Sequence, residues 1–341
     1  MTDISGVVGL QNIGNTCYMN SSIQILRAIP ELNNLCLSQN LDAICENKKD
    51  SNNVKILLGF QDLIKTLWST SKPAFVRPLG FVTVIRNAVK GSVYEMFGLP
   101  IPNDSHEFLI YLLDNFHEAL SMKLNIEVGD RDSTSDMDMN ELAKNGWARF
   151  LKCGGHSPII DLFFGMMRKT IVCQHCLSKS YQWETFNILK IPCQGTTFAD
   201  WIENEHSVSD LSDYDCIKCR PERRCAKIHS HIWCLPQMMF IAIKRFKPDF
   251  QKDMSHCPYA GEIINFERFF AQESPEQSKT WKYTLCGTVD HHGSHRGGHY
   301  VSQFKHPTTS EWWLFDDEAS HKLNNGPMFN NSNYLFLFRK V

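Results

Sequence analysis

Gly9-Leu10-Gln11-Asn12-Ile13-Gly14-Asn15-Thr16-Cys17-Tyr18-Met19-Asn20 decides how the chain is read, because it hands a glycine-bearing turn to a helix with a cysteine at the junction. Downstream, Met19, Ile23, Leu26 and Ile29 recur at helical spacing, with Asn15 or Thr16 available as a cap and Pro30 closing the run. The spacing predicts a helix from Cys17 to Ile29. A cysteine at such a start meets unpaired backbone N–H groups and the positive end of the helix dipole, which favour the thiolate. An isolated free cysteine is more often a small buried hydrophobe, so Cys17 needs partners.

The first partner lies near the other end, in Gly297-Gly298-His299-Tyr300. Nucleophilic catalysis by cysteine uses a thiolate, an adjacent imidazole and a third group that fixes the imidazole's tautomer. Beyond His299, Trp312-Trp313-Leu314-Phe315 runs into Asp316-Asp317-Glu318. Antiparallel pairing of these two strands through His306–Ser310 would bring Asp316 beside the ring. Taken alone, these aspartates would more often be turn or surface residues, and the paired strands shift that balance. Neighbouring carboxylates at a strand end face opposite ways, and the spacing favours Asp316, with Asp317 in a supporting role. Asn12 lies on the turn before Cys17, where its amide either donates to an oxyanion or serves the loop, and both readings stay open.

At 341 residues and a formal charge of -2, the chain is long enough for one large domain or two ordinary ones and offers no electrostatic reason to bind nucleic acid or an anionic membrane. No apolar stretch of membrane-spanning length is found, and Met1-Thr2-Asp3-Ile4-Ser5 carries no signal-like pattern. Thirteen cysteines, an odd number, argue against a complete disulfide framework and for a reducing compartment. The expected location is intracellular, in cytoplasm or nucleus.

A second helix is predicted after Pro102, where Asp104-Ser105-His106-Glu107 resembles a capping box ahead of the stripe Phe108, Leu112, Phe116 and Leu120. Residues 126–145, around the acidic and polar run from Asp130 to Asn140, read as an exposed loop. Beyond residue 160 strands predominate: Thr170 to Cys173, Tyr181 to Leu189, Met238 to Phe246, Tyr283 to Val289, His299 to Phe304, Glu311 to Phe315 and Tyr334 to Phe338. Helices first and strands later predict an α+β architecture.

Cys173-x-x-Cys176 and Cys216-x-x-Cys219 form two knuckles that can give four thiolates to one tetrahedral ion. The expectation is one structural zinc in a stretched ribbon, with His175, Cys225 and His229 as spare donors. Four sulfur ligands leave no open position for catalysis by the metal. A nucleic-acid-binding ribbon is the rival, but Arg220, Arg223, Arg224 and Lys227 are offset by Asp210, Asp213, Asp215 and Glu222.

Together these segments resemble the ubiquitin-specific protease family of deubiquitinases, a papain-like group of cysteine peptidases (peptidase family C19), over Gly9 to Phe338. The cysteine box looks like Gly9 to Leu26, with Asn12, Cys17, Asn20 and Gln24. The histidine box resembles Val289-x-His291-x-Gly293 through His299-Tyr300, then Trp312, Phe315 and Asp316-Asp317. Asn103-Asp104-Ser105-His106-Glu107-Phe108 and Leu235-Pro236 through Lys244-Arg245-Phe246 are similar to two intermediate landmarks.

The resemblance implies a single catalytic domain over 6–341 with right-hand architecture: a helical thumb near 6–125, zinc-ribbon fingers near 165–235 and a β-rich palm over 236–341. It implies hydrolysis of the isopeptide or peptide bond after ubiquitin's C-terminal glycine, by Cys17, His299 and Asp316, with Asn12 on the oxyanion. Asp104 and Glu107 would meet arginines of the ubiquitin tail. Gly297 and Gly298 would leave a narrow channel for its glycines, beside Tyr300. Asn103 stands where the family has Gln, a shorter amide that predicts a weaker tail contact. The expected partners are ubiquitin and ubiquitinated proteins, with no nucleic acid, no membrane, no catalytic cofactor, no appended targeting module, and a monomeric state. Two alternatives are a catalytically inactive ubiquitin-binding scaffold and a protease for another ubiquitin-like modifier.

Overall fold

The computed structural model describes residues 5–70, 73–128, 138–206, 208–249, 251–294 and 297–341. The chain forms two compact units: one from Met1–Ser121, Ile241–Gly261 and Leu285–Phe338, the other from Met122–Phe240, Glu262–Thr284 and Arg339–Val341. Among the described residues no helix is long and apolar enough to cross a membrane.

The first unit is organised around the helix Cys17–Leu26, every residue of which is buried. It lies against the strand Gly297–Lys305, and Gly287 on the next strand permits the approach, since a Cβ there would come within 3.2 Å of Ile25 Cγ1. The helix stops at Leu26, earlier than its apolar spacing suggested. Ala28 and Ile29 continue in tighter turns, their N–H groups donating three residues back to Ile25 and Leu26 at 3.1 and 3.2 Å, before Pro30 opens the next helix.

Arg27 is wholly buried. It donates to the carbonyls of Gly6 and Val8 and to Gln24 Oε1, and its guanidinium lies over the rings of Trp68, Phe304 and Phe315 at 5.6 to 5.7 Å. Burial pulls its pKa down to about 9. The cation thereby staples the segment preceding the cysteine loop to the core.

Two longer helices flank this centre. Asn52–Leu67 starts where Ser51 Oγ accepts from Val54 N–H at 3.3 Å, and Ser105–Leu120 where Asp104 accepts from His106 and Glu107 N–H at 2.7 and 3.2 Å. They meet through Phe60 and Phe116, ring centroids 4.8 Å apart, while Phe108 packs edge-on to Tyr18 of the central helix at 5.4 Å. Each such buried ring contributes about 1.5–3 kcal/mol through removal from water. The unit's sheet runs in the order Ala319–Leu323, Trp312–Asp316, Gly297–Lys305, Lys282–Ser294, Asn333–Lys340, Met238–Lys244. The first four strands pair antiparallel.

The second unit holds a sheet in the order Lys179–Phe186, Gly165–Cys173, Arg224–Cys234, Ser209–Tyr214. The helix Met139–Gly154 packs on it around Ala143, Met166, Trp233 and Ala271. Gly146 is required in that helix, because a Cβ there would sit 2.7 Å from Trp183 Cβ. The loop expected over 126–145 is corrected here. Residues 129–137 lie outside the described residues, and from Met139 the chain is helical, capped by Asp138 with Leu142 and Ala143 buried. Its apolar period becomes visible only past residue 140, where the polar run ends.

The predicted strand Tyr181 to Leu189 is two strands, Lys179–Phe186 and Ile188–Pro192. Along the chain the two units interleave. Long-range strand pairing, not chain order, sets the grouping.

Candidate active site and metal centre

Cys17 is the first residue of its helix and 8% exposed. Thr16 is the cap position, yet its hydroxyl makes no capping bond. It turns back instead, accepting from Ile13 N–H at 3.0 Å and meeting Asn12 Oδ1 at 3.3 Å. Asn12 Oδ1 also accepts from the N–H groups of Gly14 and Thr16, at 3.2 and 3.1 Å. The loop is closed by side chains, which leaves the N–H groups of the first helical turn without a side-chain cap.

His299 Nε2 lies 2.6 Å from Asp316 Oδ1, and the Cys17 thiol stands close enough to the ring to shift its titration. With Nε2 engaged, Nδ1 is the nitrogen left for sulfur. Cys17 contributes most to pushing the imidazole's pKa up to about 9; burial opposes it, and Asp316 and the charge of Asp317 add to it.

Asp316 and Asp317 divide sharply in environment. Asp316's side chain is 49% exposed, Asp317's is 11%. Asp317 Oδ2 stands 3.9 Å from His299 Nε2 and accepts from Asn12 Nδ2 at 2.9 Å, while Oδ1 accepts from Asn20 Nδ2 at 2.8 Å. Asp316 is therefore the residue that meets the histidine, and Asp317 holds two amides.

Cys17, Asp104, Glu107, Gly297, Gly298 and Tyr300 line one cleft of about 450 Å³, together with Met96, Pro102, Asn103, Phe246, His291 and Ser294. The two glycines differ. A Cβ on Gly297 would meet nothing within 4 Å, whereas one on Gly298 would come 2.3 Å from His292 O and 2.4 Å from His291 Nε2. His291 fills that side, 4.6 Å from the Tyr300 ring, and burial lowers its pKa to about 4, so it is neutral near pH 7.

Asp104 is largely committed: Oδ1 caps the helix and Oδ2 accepts from the Tyr334 hydroxyl at 2.6 Å. Asn103 spends its amide on its own loop, donating to Met96 O and Ile101 O at 3.2 and 3.0 Å. The sequence reading gave no role to Asn20, His291, Phe246, Met96 or Tyr334. Asn20, His291 and Phe246 stand inside motifs the resemblance was read on, but without a role, and Asn20 beside Ser21 and Ser22 is not marked out by its type.

In the second unit the sulfurs of Cys173, Cys176, Cys216 and Cys219 lie within 4.8 Å of one another. A tetrahedral zinc with sulfurs at about 2.3 Å has edges of about 3.8 Å. The distances Cys176–Cys216 and Cys173–Cys219, 3.5 and 3.9 Å, fit that size. Each knuckle is built by backbone turns, with Leu177 N–H donating to Cys173 O at 3.0 Å and Cys219 N–H to Cys216 O at 2.9 Å. The cluster can hold one structural zinc. Of the spare donors, His175 Nδ1 is 3.6 Å from Cys219 Sγ and Cys225 Sγ faces Ser212 O at 3.8 Å. The nearby arginines pair with acids: Arg220 with Asp215, Arg223 with Asp213, Arg224 with Glu222.

Residues 8–338 match the family model described as Ubiquitin carboxyl-terminal hydrolase. Ubiquitin carboxyl-terminal hydrolase 2 of Bos taurus is 27% identical over 348 residues, covering 98% of this chain and 55% of that protein. Ubiquitin carboxyl-terminal hydrolase 5 of Saccharomyces cerevisiae is 26% identical over 367 residues, covering 99% of this chain and 45% of that protein. The chain thus spans about half the length of these curated relatives.

Among solved structures, the SAGA DUB module of Ubp8, Sgf11, Sus1 and Sgf73 bound to monoubiquitin gives a TM-score of 0.76 at 19% identity, covering 100% of this chain and 70% of that chain. The same module bound to ubiquitin aldehyde gives 0.75 at 19% identity, covering 100% and 71%. That likeness carries the fold, mixed helix and sheet of the papain-like, ubiquitin-specific protease type. Both neighbours are multi-subunit modules and lend no support to the monomeric state expected from sequence. A cysteine at a helix start, an imidazole on a strand and four clustered sulfurs are thus carried on that fold, and with the family model matched from residue 8 to 338, this chain belongs to the ubiquitin carboxyl-terminal hydrolase family.

Proposed function

We propose that the chain is a thiol-dependent deubiquitinase that hydrolyses the isopeptide or peptide bond after ubiquitin's C-terminal glycine. The observation that carries this reading is the Cys17–His299–Asp316 alignment beside a cleft bordered by two glycines. Cys17 Sγ attacks the glycine carbonyl carbon while Asn12 donates to the developing oxyanion, with Asp317 holding that amide. His299 gives its proton to the departing lysine amine as the C–N bond breaks, leaving a thioester. His299 then takes a proton from water, whose oxygen adds to the carbonyl as the C–S bond breaks and sulfur is restored. Asp316 keeps the ring oriented through both steps.

Gly297 and Gly298 give the tail's glycines a path without side chains, Tyr300 forms the wall behind them, and Glu107 and Asp104 set negative charge beside the tail's arginines. One zinc at the four cysteines would brace its unit without entering the chemistry, which draws on no catalytic cofactor. Ubiquitin and its conjugates are the proposed partners, supported by family membership and by solved neighbours carrying monoubiquitin and ubiquitin aldehyde. Thirteen cysteines with no disulfide among the described residues suit a reducing, intracellular compartment, cytoplasm or nucleus.

The test is hydrolysis of a ubiquitin C-terminal fluorogenic amide by the purified chain beside Cys17→Ala. Release by the wild type and none by the variant is expected. Comparable rates from both would overturn the assignment of the nucleophile, and faster turnover of another modifier's amide would overturn the substrate.

A further inference from the structure

Two carboxylates flank one imidazole nitrogen in this site, and something must keep the wrong one away. His299 Nε2 has Asp316 at 2.6 Å and Asp317 at 3.9 Å. Asp317 is the more buried of the two, so on desolvation grounds it has the stronger need for a cationic or hydrogen-bonding partner. Its backbone is also held in an unusual left-handed conformation, φ 46°, while its carbonyl accepts from Leu10 N–H at 2.7 Å. The side chain is restrained by amides. Asn12 Nδ2 reaches one oxygen at 2.9 Å and Asn20 Nδ2 the other at 2.8 Å.

Asn20 is 3% exposed, and its amide nitrogen also donates to Leu10 O at 3.1 Å, so both of its hydrogens are used. It bridges the cysteine helix, the strand before the cysteine loop and the turn after Asp316. Asn12, at the far side of Asp317, ties its own oxygen to Gly14 and Thr16 beside Cys17. A chain of side chains therefore runs from Asn20 through Asp317 to Asn12, which alone of the three is placed to meet the oxyanion.

We propose that Asn20 is a positioning residue for the hydrolysis, clamping Asp317 onto Asn12 so that the Asn12 amide stays set for the oxyanion and His299 is left to Asp316. This rests on the function proposed above. Released from Asn20, the Asp317 carboxylate is free to turn toward His299, which it already approaches. Asn12 then loses its anchor, and the imidazole gains a second anion.

The charged and titratable groups that face His299 are Cys17, Asp316, Asp317, His291 and His292. Only Asp317 is released by the change at Asn20. A merely structural asparagine would lower stability and activity without altering the histidine's titration.

The experiment uses the whole chain as wild type, Asn20→Ala, Asp317→Ala and the double variant, with Asn20→Ser as the milder change should Asn20→Ala unfold. Two readouts are taken: hydrolysis of the ubiquitin fluorogenic amide, and the pH dependence of Cys17 alkylation by iodoacetamide, followed at that site by peptide mass spectrometry. Loss of Asn20 is expected to lower kcat about tenfold or more with KM within about twofold. It is expected to raise the upper inflection of the alkylation profile by about one pH unit. Both effects should vanish where Asp317 is already alanine. An unmoved inflection, or an equal loss of kcat in both backgrounds, would overturn the proposal. Alkylation needs no ubiquitin, so a wild type inert toward ubiquitin would sink the proposed function while the profile still decides the role of Asn20.

Discussion

His299 and Asp316 meet at 2.6 Å just beyond the end of a strand ladder whose last pair is Ser302 and Phe315. Within the ladder, facing side chains are set by the pleat; past its end the strands part, and the ring and the carboxylate reach each other. The proton on His299 is therefore held by groups from a helix start and a strand end.

That arrangement sets a pH dependence. The folded value of about 9 lies above the ordinary histidine value of about 6.5, so the folded chain binds this proton more tightly. The contribution to stability is fully present below about 6.5 and is lost as pH rises through about 9. Turnover that uses the imidazolium should fall over the same upper limb. Asp316→Asn should move that limb down and reduce kcat by about two orders of magnitude or more; a pH–rate profile with an unmoved limb would exclude Asp316 as the orienting group.

The paired glycines should separate fold from function. Gly298→Ala is expected to disturb the strands around His291, where no Cβ fits, and to lower the melting temperature. Gly297→Ala faces open space and should leave melting nearly unchanged while raising KM for the ubiquitin amide about tenfold. Calorimetry and steady-state kinetics on the two variants check the contrast, and an unaffected KM for Gly297→Ala would remove Gly297 from the tail's path.

Zinc should be stoichiometric and structural. Metal analysis of the purified chain should find about one zinc, and Cys216→Ser should lose most of it and melt about 5 °C lower or more. Full zinc content in that variant would mean that the four sulfurs do not share one ion.

Asp290 offers a test of buried polar pairing. It is 2% exposed, and its oxygens accept from Gln303 Nε2 and Asn333 Nδ2, both at 2.6 Å, while burial pushes its pKa up to about 6. Asp290→Asn removes the buried charge but sets an N–H₂ against one of the two donors. Urea denaturation should show a loss of about 1–3 kcal/mol. Unchanged or increased stability would show that desolvation of the charge outweighs the two bonds.

Much of the site was legible because local patterns carry it. Cys17 follows from a helix start, and His299 and Asp316 from two adjacent strands joined by a short turn. The cysteine knuckles are legible from spacing alone. The helix Met139–Gly154 was missed because a polar run masks its first turn, and Ser209–Tyr214 because two Ser-Asp pairs leave only Leu211 and Tyr214 for apolar contrast. Asn20 looked like any polar residue in a helix, since nothing nearby in sequence shows that Asp317 faces it.

Residue types and their spacing alone determined the chemistry on offer: a thiol at a helix start, an imidazole, paired carboxylates and four thiolates able to share an ion. Three-dimensional packing decided the assignment of parts. It separated Asp316 from Asp317, turned Thr16 away from the cap, made Gly298 obligatory while leaving Gly297 open, and linked Asn20 to Asn12. The reason is that spacing records periodicity along one element, whereas these distinctions depend on which group from a distant element reaches a buried hydrogen-bonding atom first.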